Sequence, residues 1–154
     1  MSDHLQFVIE DEAWTALAGL AERCETVVAS ALAQIDDPRS GQAVVLLSDD
    51  ETLQSLNARF RGKDKPTNVL SFPAPENEAY PGDVALSFQT CQHEALRDGK
   101  ALEDHAVHLV LHGVLHLNGF DHQEEDEAEL MEALERAALS AAGITDPYLV
   151  RTEP

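Results

Sequence analysis

Five of the seven histidines in this chain lie between His105 and His122, and their spacing constrains how the C-terminal half can fold. On a helix, His112 and His116 are one turn apart on the same face, about 6 Å along the axis, so their rings can converge. Gly119 is then expected to end the helix and let the chain turn back towards the pair with His122. The pattern H-x3-H-x2-G-x2-H therefore predicts a metal site formed by His112, His116 and His122.

Three neutral imidazoles leave one position of a tetrahedral zinc ion open, which is typical of a catalytic site rather than a structural one. We therefore predict one zinc ion per chain. A structural site is usually closed by a fourth ligand, and Cys91 is the candidate for that alternative. A further alternative is that the helix is merely rich in packed histidines.

Two neighbours are candidates for contacts with the ligands or the substrate. His108 lies one helical turn before His112, where it either assists the site or simply packs against the helix. Asp121 can accept a hydrogen bond from a ligating imidazole, since such rings usually donate their other N–H to an oxygen. Its alternative role is to form the turn.

The same spacing occurs in the metzincin proteases, whose pattern is H-E-x-x-H-x-x-G-x-x-H. Gly113 stands where those enzymes carry the glutamate base, so a metalloprotease remains an alternative that lacks its base. A glycine inside a helix costs about 1 kcal/mol relative to alanine. We therefore expect Gly113 to keep space open beside the metal.

The length of 154 residues and the 44% hydrophobic content predict a single domain over residues 1–154. The predicted strands are Leu5–Ile9, Val44–Leu47, Asn68–Phe72 and Asp83–Phe88. The first predicted helix runs from Asp11 to Asp37, and the second begins at a capping box formed by Ser48 and Glu51. The third runs from near Leu102 to Asn118, and the fourth from about Glu124 to Ala142. We predict an α+β fold with a mixed sheet of about four strands packed with helices. The third and fourth strands can pair with each other, because their connection has no room for a crossover helix. The order of the strands in the sheet is not predicted.

The last helix is expected to place Leu130, Met131, Leu134 and Ala138 on its inner face. Eight acidic residues lie between Asp121 and Glu135. They are interpreted as a solvated face, with the acids of the first turn favoured by the helix dipole.

The formal charge of −19 argues against non-specific adhesion to nucleic acid or anionic lipid. However, four of the ten basic residues fall within seven positions: Arg59, Arg61, Lys63 and Lys65. This segment is where a polyanion would bind, unless it is only a solvated turn before a strand.

Cys24 and Cys91 form no CxxC pair and are interpreted as reduced packing residues, as expected in the cytoplasm. Neither a signal peptide nor a membrane span is predicted, because the apolar runs are too short.

Two segments together resemble the YbeY family of bacterial endoribonucleases. The first runs from His112 to His122 and reads HGVLHLNGFDH, and the second runs from Phe60 to Pro73 and reads FRGKDKPTNVLSFP. The resemblance extends along nearly the whole chain in length and element order. Phe120 departs from it, since a tyrosine is common at that position.

The resemblance implies zinc on the three histidines and a functionally important arginine at Arg61. It also implies cleavage of single-stranded RNA, in maturation of the 3′ end of 16S ribosomal RNA and in ribosome quality control, with the small ribosomal subunit as partner. No DNA or membrane partner is expected. From the residues, Arg61 can grip phosphate oxygens and stabilise phosphoryl charge, while Arg59, Lys63 and Lys65 hold the RNA backbone on either side. The alternative is an RNA-binding ribosome assembly factor whose zinc only stabilises its fold.

Overall fold

One mixed sheet of four strands organises the computed structural model, which describes residues 3–120 and 125–148. The strands are β1 (Leu5–Ile9), β2 (Ala43–Ser48), β3 (Val69–Pro73) and β4 (Gly82–Ser87), in the order β1-β2-β4-β3. The first three in that order run parallel, and β3 pairs antiparallel with β4. The predicted α+β fold and the pairing of the third and fourth strands are confirmed. The order places β3 at an edge of the sheet.

Helices cover both faces of this sheet. They are α1 (Leu20–Leu32), α2 (Asp50–Arg61), α3 (Phe88–Asp98), α4 (Leu102–Leu117) and α5 (Glu125–Ala141). Successive strand residues point to opposite faces. Accordingly, Val84 belongs to the main core with α1, α4 and α5, whereas Ala85 packs with Leu53 of α2. The main core thus lies between the sheet and α4, and α2 covers the other face. None of the described helices is long and apolar enough to cross a membrane.

The predicted helix from Asp11 to Asp37 is wrong in its continuity, because the structure divides it. A short 3-10 helix spans Glu12–Ala16, and α1 begins only after Gly19, its N-cap residue. Asp11 does cap the first of these, accepting a hydrogen bond from the Ala13 N–H at 2.9 Å. The interruption lets the buried Trp14 indole donate to the Ser48 carbonyl at 2.8 Å, so tertiary packing overrides the helical periodicity.

The predicted capping residue of α2 is also wrong by one position. Ser48 is the last residue of β2, where it pairs with Ser87 of β4. Asp49 is the cap instead, and its side chain accepts a hydrogen bond from the Thr52 N–H at 2.8 Å. Ser48 therefore belongs to β2, and α2 begins one residue later than predicted.

Helix α3 was not predicted from the sequence. Ser87 is its N-cap, and Phe88, which was predicted to end the preceding strand, is its first residue. Gly99 ends the helix in the left-handed conformation, with φ of 66°. A serine and a later glycine are the usual signals for the two ends of a helix, so this element was detectable.

Both cysteines are free and buried, as predicted. Burial raises the pKa of the Cys24 thiol and of the Cys91 thiol, because a thiolate is poorly solvated in the core. We therefore expect a colorimetric disulfide reagent to modify neither thiol in the native protein and both after unfolding in guanidinium chloride. Stoichiometric reaction of native protein at the unfolded rate would contradict this packing.

Candidate metal centre and groove

The two imidazoles of the predicted pair converge at the C-terminal end of α4. The Nε2 atoms of His112 and His116 lie 3.1 Å apart, and their ring centroids lie 4.6 Å apart. Zinc–nitrogen bonds of about 2.0–2.1 Å in tetrahedral geometry place two ligand nitrogens roughly 3.3 Å apart. The pair therefore fits a zinc ion both in chemistry and in spacing. His122 and Asp121 lie outside the described residues, so their predicted roles stay predictions.

Helix α4 ends where the sequence pattern required it to end. Gly119 has a φ of 94°, and its N–H donates to the carbonyl of His116 at 3.0 Å. The Phe120 N–H returns to the carbonyl of Leu115 at 3.2 Å, so the chain reverses immediately after the second histidine.

Arg39 fastens this helix end to a distant loop. Its backbone N–H donates to the Asn118 side-chain oxygen at 2.8 Å. Its guanidinium donates to the carbonyls of Ala74 and Pro81 at 2.8 and 2.9 Å. One arginine thus connects the turn after His116 with the loop between β3 and β4.

Glu135 is a site residue that was missed in the sequence. Its side chain is fully buried, which contradicts the expectation that all the acids up to this position lie on a solvated face. One carboxylate oxygen lies 3.1 Å from Nδ1 of His112, and the other lies 2.5 Å from Nε2 of His108 and 2.7 Å from the hydroxyl of Tyr148.

The position of Glu135 along α5 gives the signal that could have found it. It lies four residues after the buried Met131 and three before the buried Ala138, so it shares their helix face. Leu130, which was predicted on the inner face, is instead 54% exposed. A carboxylate in the middle of an apolar stripe needs partners, and a histidine-rich helix supplies them.

Hydrogen bonding keeps the Glu135 carboxylate charged despite its burial. Burial by itself raises the pKa, but hydrogen bonds from His108 and His112 outweigh it and lower the pKa to about 2. Burial and the bond to Glu135 raise the pKa of Tyr148, which therefore remains a neutral donor. Glu135 is thus a buried anion that accepts a hydrogen bond from a neutral, half-buried tyrosine.

Two sets of side chains in this region could hold a metal. Ligand-type atoms of His108, His112 and Glu135 lie within 4.8 Å of one another. The second set is the predicted one, in which His112 and His116 present their Nε2 atoms. His112 and His116 line an open groove, whereas His108 and Glu135 do not, so only the second set has all its described members in the groove.

The groove has a volume of about 620 Å³ and runs between the end of α2, the edge strand β3 and the end of α4. We call it the basic groove. Its described lining residues include three cations and no carboxylate, in a chain of formal charge −19. The residues of chemical interest in its lining are Arg61, Lys63, Lys65, Ser71, His112 and His116. Such a groove is complementary to a polyanion and distinct from the rest of an acidic protein.

Asn57 holds the loop that carries Lys63 and Lys65 through two hydrogen bonds. Gly62 ends α2 in the left-handed conformation, with φ of 69°. The buried Asn57 accepts a backbone hydrogen bond from Lys63 at 3.2 Å through its carbonyl, and its side chain donates to the carbonyl of Lys65 at 3.0 Å. The loop is therefore held at both basic residues.

The two arginines of the basic segment are placed differently. Arg61 is exposed and donates through Nη2 to the Ser71 carbonyl at 3.2 Å, which ties it to the edge strand within the groove. The guanidinium carbon of Arg59 lies 5.3 Å from the ring centroid of Phe60, and Arg59 is not part of the groove lining. The structure thus brings Arg61, Lys63 and Lys65 together with the histidines, and Arg59 lies outside that group.

Gly113 has a different purpose from the one expected. A Cβ atom at this position would lie 2.6 Å from Cγ1 of Val84 and 3.2 Å from Oγ of Ser71. The missing side chain therefore points at the sheet, towards Val84 of β4 and Ser71 of β3. The glycine allows α4 to approach β3 and β4 closely, which brings the histidines beside the edge strand.

Comparison with known proteins gives a consistent result. The family model of endoribonuclease YbeY matches residues 8–143. Proteins named endoribonuclease YbeY from Maricaulis maris and from Chelativorans sp. are each 48% identical, and each match covers 94% of this chain and 91% or 92% of the relative. A protein of the same name from Azorhizobium caulinodans is 44% identical, with coverage of 97% and 98%.

A solved structure shares the fold. The solution structure of TM1509 from Thermotoga maritima matches with a TM-score of 0.55 and 23% identity, over 94% of this chain and 100% of that one. At this identity the likeness supports the α+β architecture alone.

Proposed function

This chain belongs to the endoribonuclease YbeY family, and from this membership we propose that it is a zinc-dependent endoribonuclease specific for single-stranded RNA. The names of its relatives support RNA as the substrate and hydrolysis of a phosphodiester bond as the reaction. The single observation that carries the proposal is that two convergent imidazoles and Arg61 line one groove.

We further propose that the enzyme acts in maturation of the 3′ end of 16S ribosomal RNA and in ribosome quality control, on the small subunit in the cytoplasm. The resemblance of the two sequence motifs supports this substrate. The free, buried cysteines suit a reducing compartment. The charge distribution supports selective RNA binding, because the acidic surface repels strands that miss the basic groove.

The residues divide the chemistry between them. His112, His116 and His122 would hold the zinc ion, which when bound supplies Lewis acidity to polarise a phosphoryl oxygen or a water. Arg61 presents a planar set of N–H donors, which bind phosphate oxygens and stabilise the charge that develops on the phosphoryl group. Its hydrogen bond to the Ser71 carbonyl orients it before the RNA binds.

The lysines hold the RNA on either side of the scissile phosphate. Lys63 and Lys65 line the groove on a loop fixed by Asn57, so they contribute charge from defined positions. Arg59, stacked on Phe60, is proposed to contact the backbone beyond the groove.

The decisive test incubates an end-labelled single-stranded RNA with the purified protein, with and without a chelator. Cleavage should stop on chelation and return on addition of zinc. Arg61→Ala should lower the cleavage rate by about 10²–10³-fold, the usual loss when one donor to a developing oxyanion is removed. The cleavage rate of Arg61→Lys should lie between those of the wild type and Arg61→Ala, because lysine keeps the positive charge but loses the planar set of donors.

Arg97→Ala is the matched control, since Arg97 is an exposed arginine on α3 that pairs with Asp98. It should cleave like the wild type. Equal cleavage by Arg61→Ala and wild type would reject the role of Arg61. RNA binding without cleavage by the wild type would favour the assembly factor.

A further inference from the structure

We propose that Glu135 is a positioning residue of the metal centre: its buried carboxylate holds the His112 ring so that Nε2 faces the metal, and Tyr148 holds the carboxylate. This inference rests on the proposed function, since it takes His112 as a metal ligand. It concerns two residues, on α5 and on the segment after it, that contribute nothing to the lining of the basic groove.

The contacts determine which nitrogen of His112 carries the proton. An ionised carboxylate only accepts hydrogen bonds, so Nδ1 of His112, 3.1 Å from Glu135, must be the protonated nitrogen. In the neutral ring, Nε2 is then unprotonated and available as a ligand. Nε2 of His116 lies 3.1 Å from it, so the two nitrogens are close enough to bind one ion. A metal ion bound at Nε2 of His112 would leave the bond between its Nδ1–H and Glu135 in place.

The geometry favours a positioning role for Glu135 over direct ligation. Its side chain is fully buried, and its two oxygens are shared by three donors, from His108, His112 and Tyr148. His108 fits the same scheme: its Nδ1 is buried without a hydrogen-bond partner among the described residues, so its proton belongs on Nε2, towards Glu135. The carboxylate thus accepts three hydrogen bonds and does not itself line the groove.

A buried charge in an apolar helix face also requires an explanation. Placing an ionised carboxylate in the core is costly unless it is fully paired, and an apolar residue of similar volume would serve packing at least as well. Metal-ligating histidines, by contrast, usually donate their second N–H to a carboxylate that orients the ring and raises its basicity. Glu135 meets that description, and Tyr148 keeps the carboxylate in place through its second oxygen.

The first measurement is the affinity for zinc, obtained by competition with a chromophoric chelator. Glu135→Gln should bind zinc about 10–100-fold more weakly than the wild type, the usual loss when such a partner is removed. Tyr148→Phe removes only a hydroxyl and should weaken binding roughly threefold to tenfold, the equivalent of one hydrogen bond. Tyr80→Phe is the matched control, because its hydroxyl donates to Asp83 of β4 instead, and it should leave the affinity unchanged.

The same variants loaded with cobalt separate positioning from ligation. If Glu135 only positions His112, the visible cobalt spectrum of Glu135→Gln should keep the band positions of the wild type. A changed coordination spectrum would overturn the proposal and make Glu135 a ligand. Unchanged zinc affinity in both Glu135→Gln and Tyr148→Phe would overturn it as well.

A second readout needs no mutation and stands even where Glu135→Gln fails to fold. Nitrogen NMR of the metal-free wild type at mildly alkaline pH should show His112 as the Nδ1–H tautomer. The Nε2–H tautomer would refute the proposal. Failure of the wild type itself to bind zinc would instead reject the proposed function, so the two failures are distinguishable.

Discussion

His116→Ala should abolish stoichiometric zinc binding and greatly reduce the rate of RNA cleavage. The variant removes one of the two imidazoles whose Nε2 atoms lie 3.1 Å apart and line the basic groove. A metal supplies several kcal/mol of charge stabilisation to a phosphoryl transition state, so its loss should lower the rate by about 10²–10³-fold or more. Bound zinc per chain and the rate on an end-labelled RNA are the two measurements.

His93→Ala is the control for this experiment, because His93 is an exposed histidine on α3. It should retain both zinc and activity. Circular dichroism of metal-free His116→Ala should match the wild type, since His116 lies in the last turn of α4 and is only partly buried. Full cleavage by His116→Ala would refute the proposed centre.

Gly113→Ala should destabilise the protein, although alanine is the better helix former. The added Cβ would lie 2.6 and 3.0 Å from the two γ-carbons of Val84, a fully buried side chain with little freedom to move. Overpacking of a core typically costs 1–3 kcal/mol, and the helix-propensity gain of about 1 kcal/mol offsets part of it. We expect a net loss of up to about 2 kcal/mol in the free energy of unfolding, measured by urea titration.

A double-mutant cycle isolates the cause. Val84→Ala removes both γ-carbons and should be destabilising by itself through the cavity it leaves. In the Val84→Ala background, Gly113→Ala should lower the free energy of unfolding much less than in the wild type, or raise it. The reason is that the new methyl group occupies the vacated space. Equal costs in the two backgrounds would show that Gly113 is not placed to accommodate Val84.

The elements with strong local signals were predictable. Helix α4 was predicted within a residue or two of its bounds, because the histidine and leucine spacing is helical and Gly119 marks its end. The alternating strand that became β4 was likewise recognisable. The first helix was misjudged because burial of Trp14 beneath Ser48 depends on a contact between distant segments.

At the site, local spacing was enough to pair His112 with His116, because an i, i+4 separation brings two rings together on any helix. The cluster of Arg61, Lys63 and Lys65 was visible because these three residues lie within five positions of the sequence. Their placement in one groove with the histidines depended on the sheet order, which puts the edge strand β3 between α2 and α4.

The histidine pair, the helix end and the basic segment follow from short-range geometry, and so they could be read from the order of the residues. The purpose of Gly113 and the partners of Glu135 could not, because each depends on a side chain that is distant in sequence. The position of Glu135 in an apolar stripe indicates that it needs partners, but it does not indicate which histidines and which tyrosine provide them. Nothing near Gly113 in the sequence indicates that Val84 packs against it. Only packing between α4, α5 and the sheet decided those contacts.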